Sequence, residues 1–211
     1  RLLAIGLPST MISLGSLLTL PELLAGYEQK PFTLVQRVLT QFPALLAYLT
    51  AILWPRPSLF GLFHDDFPVY SSLFAAPVLL SLAILLALLA LALRHCRRWP
   101  VPAFALLWYL SGPAMESSVL PLEMYFEHRN YLPLLGIALA IGLAVQALWR
   151  QRRGGKRLSL AIAPAVALLW LIAVTLQQTV IWGNPLEHAY AERYFRPDSR
   201  AAHANLVRTL A

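Results

Sequence analysis

The chain has 211 residues, of which 58% are apolar and 13% charged, and its formal charge is +7. Soluble domains carry about 25% charged residues, and here the shortfall is local: Ala75–Leu93 and Leu158–Trp182 hold no ionisable residue, and no acid occurs between Phe67 and Met115. Apolar runs of that length cross the ~30 Å of bilayer hydrocarbon, which excludes a soluble enzyme, a disordered tail and a disulfide scaffold.

The first residue is Arg1, not Met, and the apolar run Leu2–Leu20 follows it without a cleavage-type flank. That run reads as a crossing helix and not as a signal peptide, and the chain reads as a piece of a longer polypeptide. The next segment, 32–54, is re-entrant or spanning. Arg37 and Gln41 lie in its first half, Pro43 interrupts it, and Ala44–Trp54 is apolar but short. A helix broken by Pro at membrane depth is tolerated where it lines a cavity, which favours the re-entrant alternative. The loop 55–74 then carries His64-Asp65-Asp66.

Ala75–Leu93 is expected to cross to a basic cluster, Arg94, Arg97 and Arg98, and the run 101–112, punctuated by Pro100, Pro102 and Pro113, to cross back. Glu116–Asn130 follows as a polar stretch. Tyr131–Trp149 is expected to cross to the second basic loop, Arg150, Arg152, Arg153, Lys156 and Arg157, where Gly154-Gly155 makes the turn. Leu158–Ile181 crosses again, ahead of the polar tail 183–211. Short loops rich in Lys and Arg stay on the cytoplasmic side. Loops 94–98 and 150–157 are therefore expected in the cytoplasm and the tail outside it, and all ten acids then fall outside the two basic loops. The positive charge thus reads as a topology signal and not as a nucleic-acid site. Cys96, the single cysteine, sits in the first basic cluster and is expected as a reduced thiol.

The predicted architecture is an all-α polytopic helix bundle, with a transmembrane domain 1–182 and a helical tail 183–211. Spans are expected at about 2–20, 75–93, 101–112, 131–149 and 158–181. In the tail, Pro185–Tyr194 and Ser199–Leu210 have helical apolar spacing, and Asp198 or Ser199 is the expected N-cap of the second helix.

Chemistry is expected in three extracytoplasmic clusters and at Arg37. The clusters are His64-Asp65-Asp66, Glu116-Ser117-Ser118, and the run Glu123 to Tyr131, which contains Glu127-His128-Arg129-Asn130. Ionisable groups at the hydrocarbon edge are expensive and serve a pathway or a site. The plainer alternative makes Tyr125, Tyr131 and Arg129 interface anchors, accounting for the aromatics and one Arg but not for Glu-His-Arg-Asn. Arg offers a planar fork for phosphate oxygens and His a proton or a hydrogen bond. Arg37, His128 and Arg129, with Glu127, Glu116 and His64, are therefore candidates for binding a lipid-linked phosphate, and Asp65 or Asp66 for a general base. No metal site is expected: His64, Asp65 and Asp66 are consecutive, without the i, i+4 ligand spacing of a helical site. A divalent metal is not called for, and no phosphate loop, nucleophile elbow or Cys-His pair occurs.

The stretch from Glu116-Ser-Ser-Val-Leu-Pro to Phe126-Glu-His-Arg-Asn-Tyr-Leu-Pro133 resembles bacterial membrane proteins related to the transmembrane-and-tetratricopeptide-repeat O-mannosyltransferases. Phe32-Thr-Leu-Val-Gln-Arg37, Leu62-Phe-His-Asp-Asp-Phe67 and Trp182-Gly-Asn-Pro185 with Arg196-Pro-Asp-Ser-Arg-Ala-Ala-His203 are similar to that pattern in the same order, except that Gln36 stands where the pattern has Glu. The resemblance implies a GT-C-like fold in a bacterial inner membrane. It implies transfer of sugar from a polyprenyl-phosphate carrier to an extracytoplasmic protein or glycan, with the tail as the start of helical repeats. The acidic loop that the family places upstream, with its catalytic carboxylate, is not in this sequence. A non-catalytic scaffold recruiting partners through its helical tail is the alternative, and a transporter comes third for want of paired interrupted helices.

Overall fold

The computed structural model describes residues 20–114, 116–151 and 155–211, and the side chains among them except those of 20–23 and 155–160. The expected crossing helix at 2–20 lies outside the described residues apart from Leu20, and so do Arg152, Arg153 and Gly154 of the second basic loop. Among the described residues all regular structure is helical: α1 (Leu20–Tyr27), α2 (Leu34–Leu53), α3 (Ala76–His95), α4 (Pro100–Ser111), α5 (Tyr131–Gln151), α6 (Gly155–Gly183), α7 (Pro185–Phe195) and α8 (Arg200–Leu210). Short 3₁₀ turns at Pro57–Leu59 and Glu127–Asn130 complete it.

Three helical stretches are long and apolar enough to cross a membrane: Ala76–His95, Glu127–Gln151 and Ala161–Gly183. They coincide with the expected spans 75–93, 131–149 and 158–181 to within a few residues. The expected span 101–112 needs correction. Helix α4 has only 12 residues, about 18 Å at 1.5 Å per residue, short of the ~30 Å of hydrocarbon. Pro100 starts it late and the chain turns at Gly112-Pro113. The crossing helices expose apolar side chains on all sides, as in Leu80, Leu93, Leu135, Leu169 and Leu176, which suits a lipid solvent.

Helices α4 and α5 approach closely because Gly136 has no side chain. A Cβ there would meet the Trp108 ring at 2.7 Å, and the Trp108 indole N–H donates to the Leu132 carbonyl at 2.7 Å. Helix α2 starts in a capping box: Thr33 accepts from the Gln36 N–H, and Gln36 Oε1 accepts from the Thr33 N–H. Gln36 does here what a Glu would do at that position.

Pro43 does not interrupt the helix, contrary to expectation; α2 is continuous from Leu34 to Leu53. Proline deletes one backbone hydrogen bond and crowds the preceding turn, but both halves of α2 are held from outside. Arg37 and Gln41 before it, and Leu45 and Tyr48 after it, bond to residues 109–130.

The tail helices form near their expected positions. Asn184 caps α7 by accepting from the Leu186 and Glu187 N–H groups. Ser199, and not Asp198, caps α8 by accepting from Ala202. Both helices rest against the loop that follows α2.

Candidate functional site

Two connected polar layers gather at one end of the apolar helices. The first is built on Arg37, which is 0% exposed. Its guanidinium donates to the carbonyls of Leu122 at 2.6 Å, Glu123 at 2.8 Å and Glu116 at 2.6 Å. Arg129, 7% exposed, reaches the same segment: its Nη1 donates to the Glu123 carbonyl at 2.8 Å, and its Nε lies 3.3 Å from Glu116 Oε2. Lys30 pairs with the Glu123 carboxylate at 2.5 Å. Arg37 on α2, Lys30 just before it and Arg129 in the 3₁₀ turn thus hold the 116–123 segment from three sides. Irregular backbone at a membrane edge needs internal partners for its carbonyls, and the guanidinium fork supplies several at once.

Beneath the 3₁₀ turn Glu127–Asn130, aromatic rings form a floor. Tyr48 stacks on Tyr125 with centroids 4.6 Å apart, and Phe67 stacks on the same Tyr125 ring at 5.1 Å. The Tyr48 hydroxyl accepts from the Phe126 N–H, and its carbonyl accepts from the Asn130 side chain. Burial raises the Tyr125 hydroxyl far above the ordinary tyrosine range, reinforced by the nearby Glu127 charge. Tyr125 is therefore a neutral packing ring and not an acid–base group.

The second layer joins the 55–67 loop, the 3₁₀ turn and the tail. His64 Nε2 lies 2.6 Å from Glu127 Oε1, and the same carboxylate oxygen accepts from the Gly61 N–H at 3.1 Å. Arg196, at the end of α7, reaches His64 Nε2 at 2.7 Å, Asp66 Oδ1 at 3.4 Å, the Leu59 carbonyl at 3.3 Å and Glu127 Oε1 at 3.8 Å. Glu192 accepts from the Leu62 N–H at 2.7 Å and lies near Arg196 and His188. Gly61 allows this close contact, since a Cβ would meet Glu192 Oε1 at 2.6 Å and Arg196 Nε at 2.9 Å and these side-chain ends would have to shift.

Asp65 points away from His64's partners and accepts from Ser199 Oγ, Arg200 N and Ala201 N, all at the start of α8. Partial burial alone would raise its pKa, but the hydrogen bonds from Ser199, Ala201 and Arg200 outweigh it and hold the carboxyl below its ordinary value. An acid at a helix N-terminus also meets the positive end of the helix dipole.

Of the expected site residues, the structure brings together His64, Glu127 and Asp66 around Arg196, and Glu116 with Arg129 and Arg37. His128 stands apart: it is exposed, with its ring 5.2 Å from that of Phe126. Asp65 has both oxygens committed to α8, so Asp66 is the more available carboxylate of that pair. Among the described residues no three His, Cys, Asp or Glu side chains are grouped to hold a metal ion. Sequence reasoning passed over Arg196 and Glu192. A signal was present, because His188, Glu192 and Arg196 recur at four-residue intervals, and two of them fall on one buried helix face.

No family model matches the chain, and no curated protein and no solved structure matches it.

Proposed function

We propose that the chain is a GT-C-type membrane glycosyltransferase, or part of one, that moves a sugar from a polyprenyl-phosphate carrier to an extracytoplasmic protein or glycan. One observation carries the reading: the buried Arg37 and Arg129 and the partly buried carboxylates Glu116, Asp66 and Glu127 gather in two connected polar layers beside membrane-length helices. That is the level at which a lipid-linked phosphate presents its headgroup while its tail lies among the helices. Arg129 and its neighbour Glu116 form the phosphate side, and His128, exposed and apart from that pair, is left outside it. Asp66, Glu127 and His64 form the proton-accepting side. Arg37, with its donors on three carbonyls, positions the 116–123 segment and so acts on substrate only through it.

A second reading, a non-catalytic scaffold that recruits partners through α7 and α8, is favoured by one specific fact. The arginines expected to meet phosphate already bond to backbone carbonyls. Titration of the full chain in lipid nanodiscs with a labelled polyprenyl-phosphate sugar separates the two readings. Saturable binding competed by unlabelled carrier supports the transferase, and binding no greater than that of empty nanodiscs returns the chain to the scaffold reading.

A further inference from the structure

We propose that α7 and α8 form an acid-released clamp over the 55–67 loop, opened by protonation of His64. The clamp is independent of the transferase reading. Loop and tail meet through charges and hydrogen bonds: Asp65 on the start of α8, the Leu62 N–H on Glu192, and Arg196 on the Leu59 carbonyl, Asp66 and the His64 ring.

His64 is the pivot because one ring nitrogen faces two partners of opposite demand. Nε2 lies 2.6 Å from Glu127 Oε1, an acceptor, and 2.7 Å from Arg196 Nη2, a donor. A neutral imidazole serves either, donating to Glu127 in one tautomer and accepting from Arg196 in the other. The imidazolium serves only Glu127. It places a positive charge against the guanidinium and carries protons on both nitrogens, so Nε2 no longer accepts from Arg196 and Nδ1, a buried atom without a hydrogen-bond partner, is a donor as well. The rings of Tyr125 and Phe126, at 5.0 and 5.7 Å, line that side.

The charged groups facing His64 are Glu127 from the 3₁₀ turn and Arg196 from the tail. Asp66 and Glu192 stand behind Arg196, and Asp65 is its chain neighbour. Glu127 draws the imidazolium, so Arg196 is the partner that leaves. With Arg196 displaced, α7 loses its ionic hold on the loop while Asp65 still holds the start of α8, and Asp66, His64 and Glu127 are uncovered together.

Hydrogen exchange of the full chain in nanodiscs tests this at about pH 7.5 and about pH 5.5, a window in which histidine changes charge. Rates are corrected for intrinsic exchange. Wild-type amides of Pro185–Phe195 are expected to lose protection about tenfold at the lower pH. His64→Gln, which stays neutral, is expected to keep the same protection at both values, and Arg196→Gln to be poorly protected at both. Unchanged protection of Ala76–His95 shows that the membrane part is intact. Should H64Q lose that protection, the shorter neutral variant H64N takes its place. A wild type whose tail protection does not fall, or a neutral variant whose protection falls as much, overturns the proposal.

Discussion

Asp65 caps a helix that begins 135 residues further along the chain: its Oδ2 accepts from the Arg200 and Ala201 N–H groups at 2.9 and 3.2 Å, and its Oδ1 from Ser199 Oγ at 2.5 Å. Ser199 in turn accepts from Ala202. The loop carboxylate and the helix's own N-cap therefore divide the orphan donors of the first turn between them.

Asp65→Ala is expected to loosen α8 by about 1 kcal/mol, the usual scale of a lost cap, read as faster amide exchange across Arg200–Leu210. The pH dependence has a definite sign. The folded-state pKa lies below the unfolded one, so the contribution is complete above the unfolded value near ~3.9. It is lost as pH falls through the lower folded value. The acid release proposed above for about pH 5.5 therefore does not run through Asp65, and wild type and D65A are expected to respond to that step alike.

Gly61→Ala tests the loop–tail contact from the steric side. The new methyl lands on the ends of Glu192 and Arg196, which move more easily than backbone, so the loop and tail separate and the chain does not unfold. The cost is expected at about 1–3 kcal/mol. It appears as reduced protection of Pro185–Phe195 with α3 and α5 unaffected. Full protection of that helix in G61A contradicts the close approach.

The crossing helices were legible because nothing in Ala75–Leu93 or Leu158–Trp182 competes with lipid, and a run of that length has one stable solution in hydrocarbon. The tail was legible through local rules alone, helical spacing and the Ser199 cap. The site was legible only as composition. His64-Asp65-Asp66 and Glu127-His128-Arg129 announced costly groups, but no local periodicity says that Arg196 will sit between them. Pro43 misled for the same reason: its local cost is real, and the contacts that offset it come from residues 109–130. Arg37 was recognised as unusual, while its partners, three main-chain carbonyls, leave no trace in side-chain chemistry.

Arg37→Ala is expected to be the most damaging of these substitutions. It takes the Arg37 donors from the carbonyls of Glu116 and Leu122, while Glu123 keeps its bond from Arg129, at roughly 1–3 kcal/mol for each group left unpaired in a dry environment. Thermal unfolding in detergent is expected to shift down sharply. Arg37→Lys is expected to recover only part of the loss, because a single ammonium does not reproduce the fork. A lysine variant as stable as wild type would show that charge, and not the three-carbonyl geometry, is what α2 supplies.

Arg129 is where the transferase and scaffold readings give different numbers. Its Nη1 is committed to the Glu123 carbonyl and its Nε faces Glu116, which holds the guanidinium plane fixed, so an incoming phosphate would replace one of these partners. Arg129→Lys keeps the charge and loses that plane, so donor binding is expected to weaken by roughly 1–3 kcal/mol, the scale of one charge-assisted hydrogen bond. Arg129→Ala is expected to lose more. Arg97→Ala, in the basic cluster beyond α3, is expected to leave donor affinity unchanged. Glu116→Gln separates anchoring from binding: it removes the ion pair that orients Arg129 but spares the guanidinium, so stability is expected to fall slightly while donor binding persists. If wild type and R129A bind the labelled polyprenyl-phosphate sugar equally while R129A melts earlier, Arg129 is an anchor for the 116–123 segment and the phosphate role is lost.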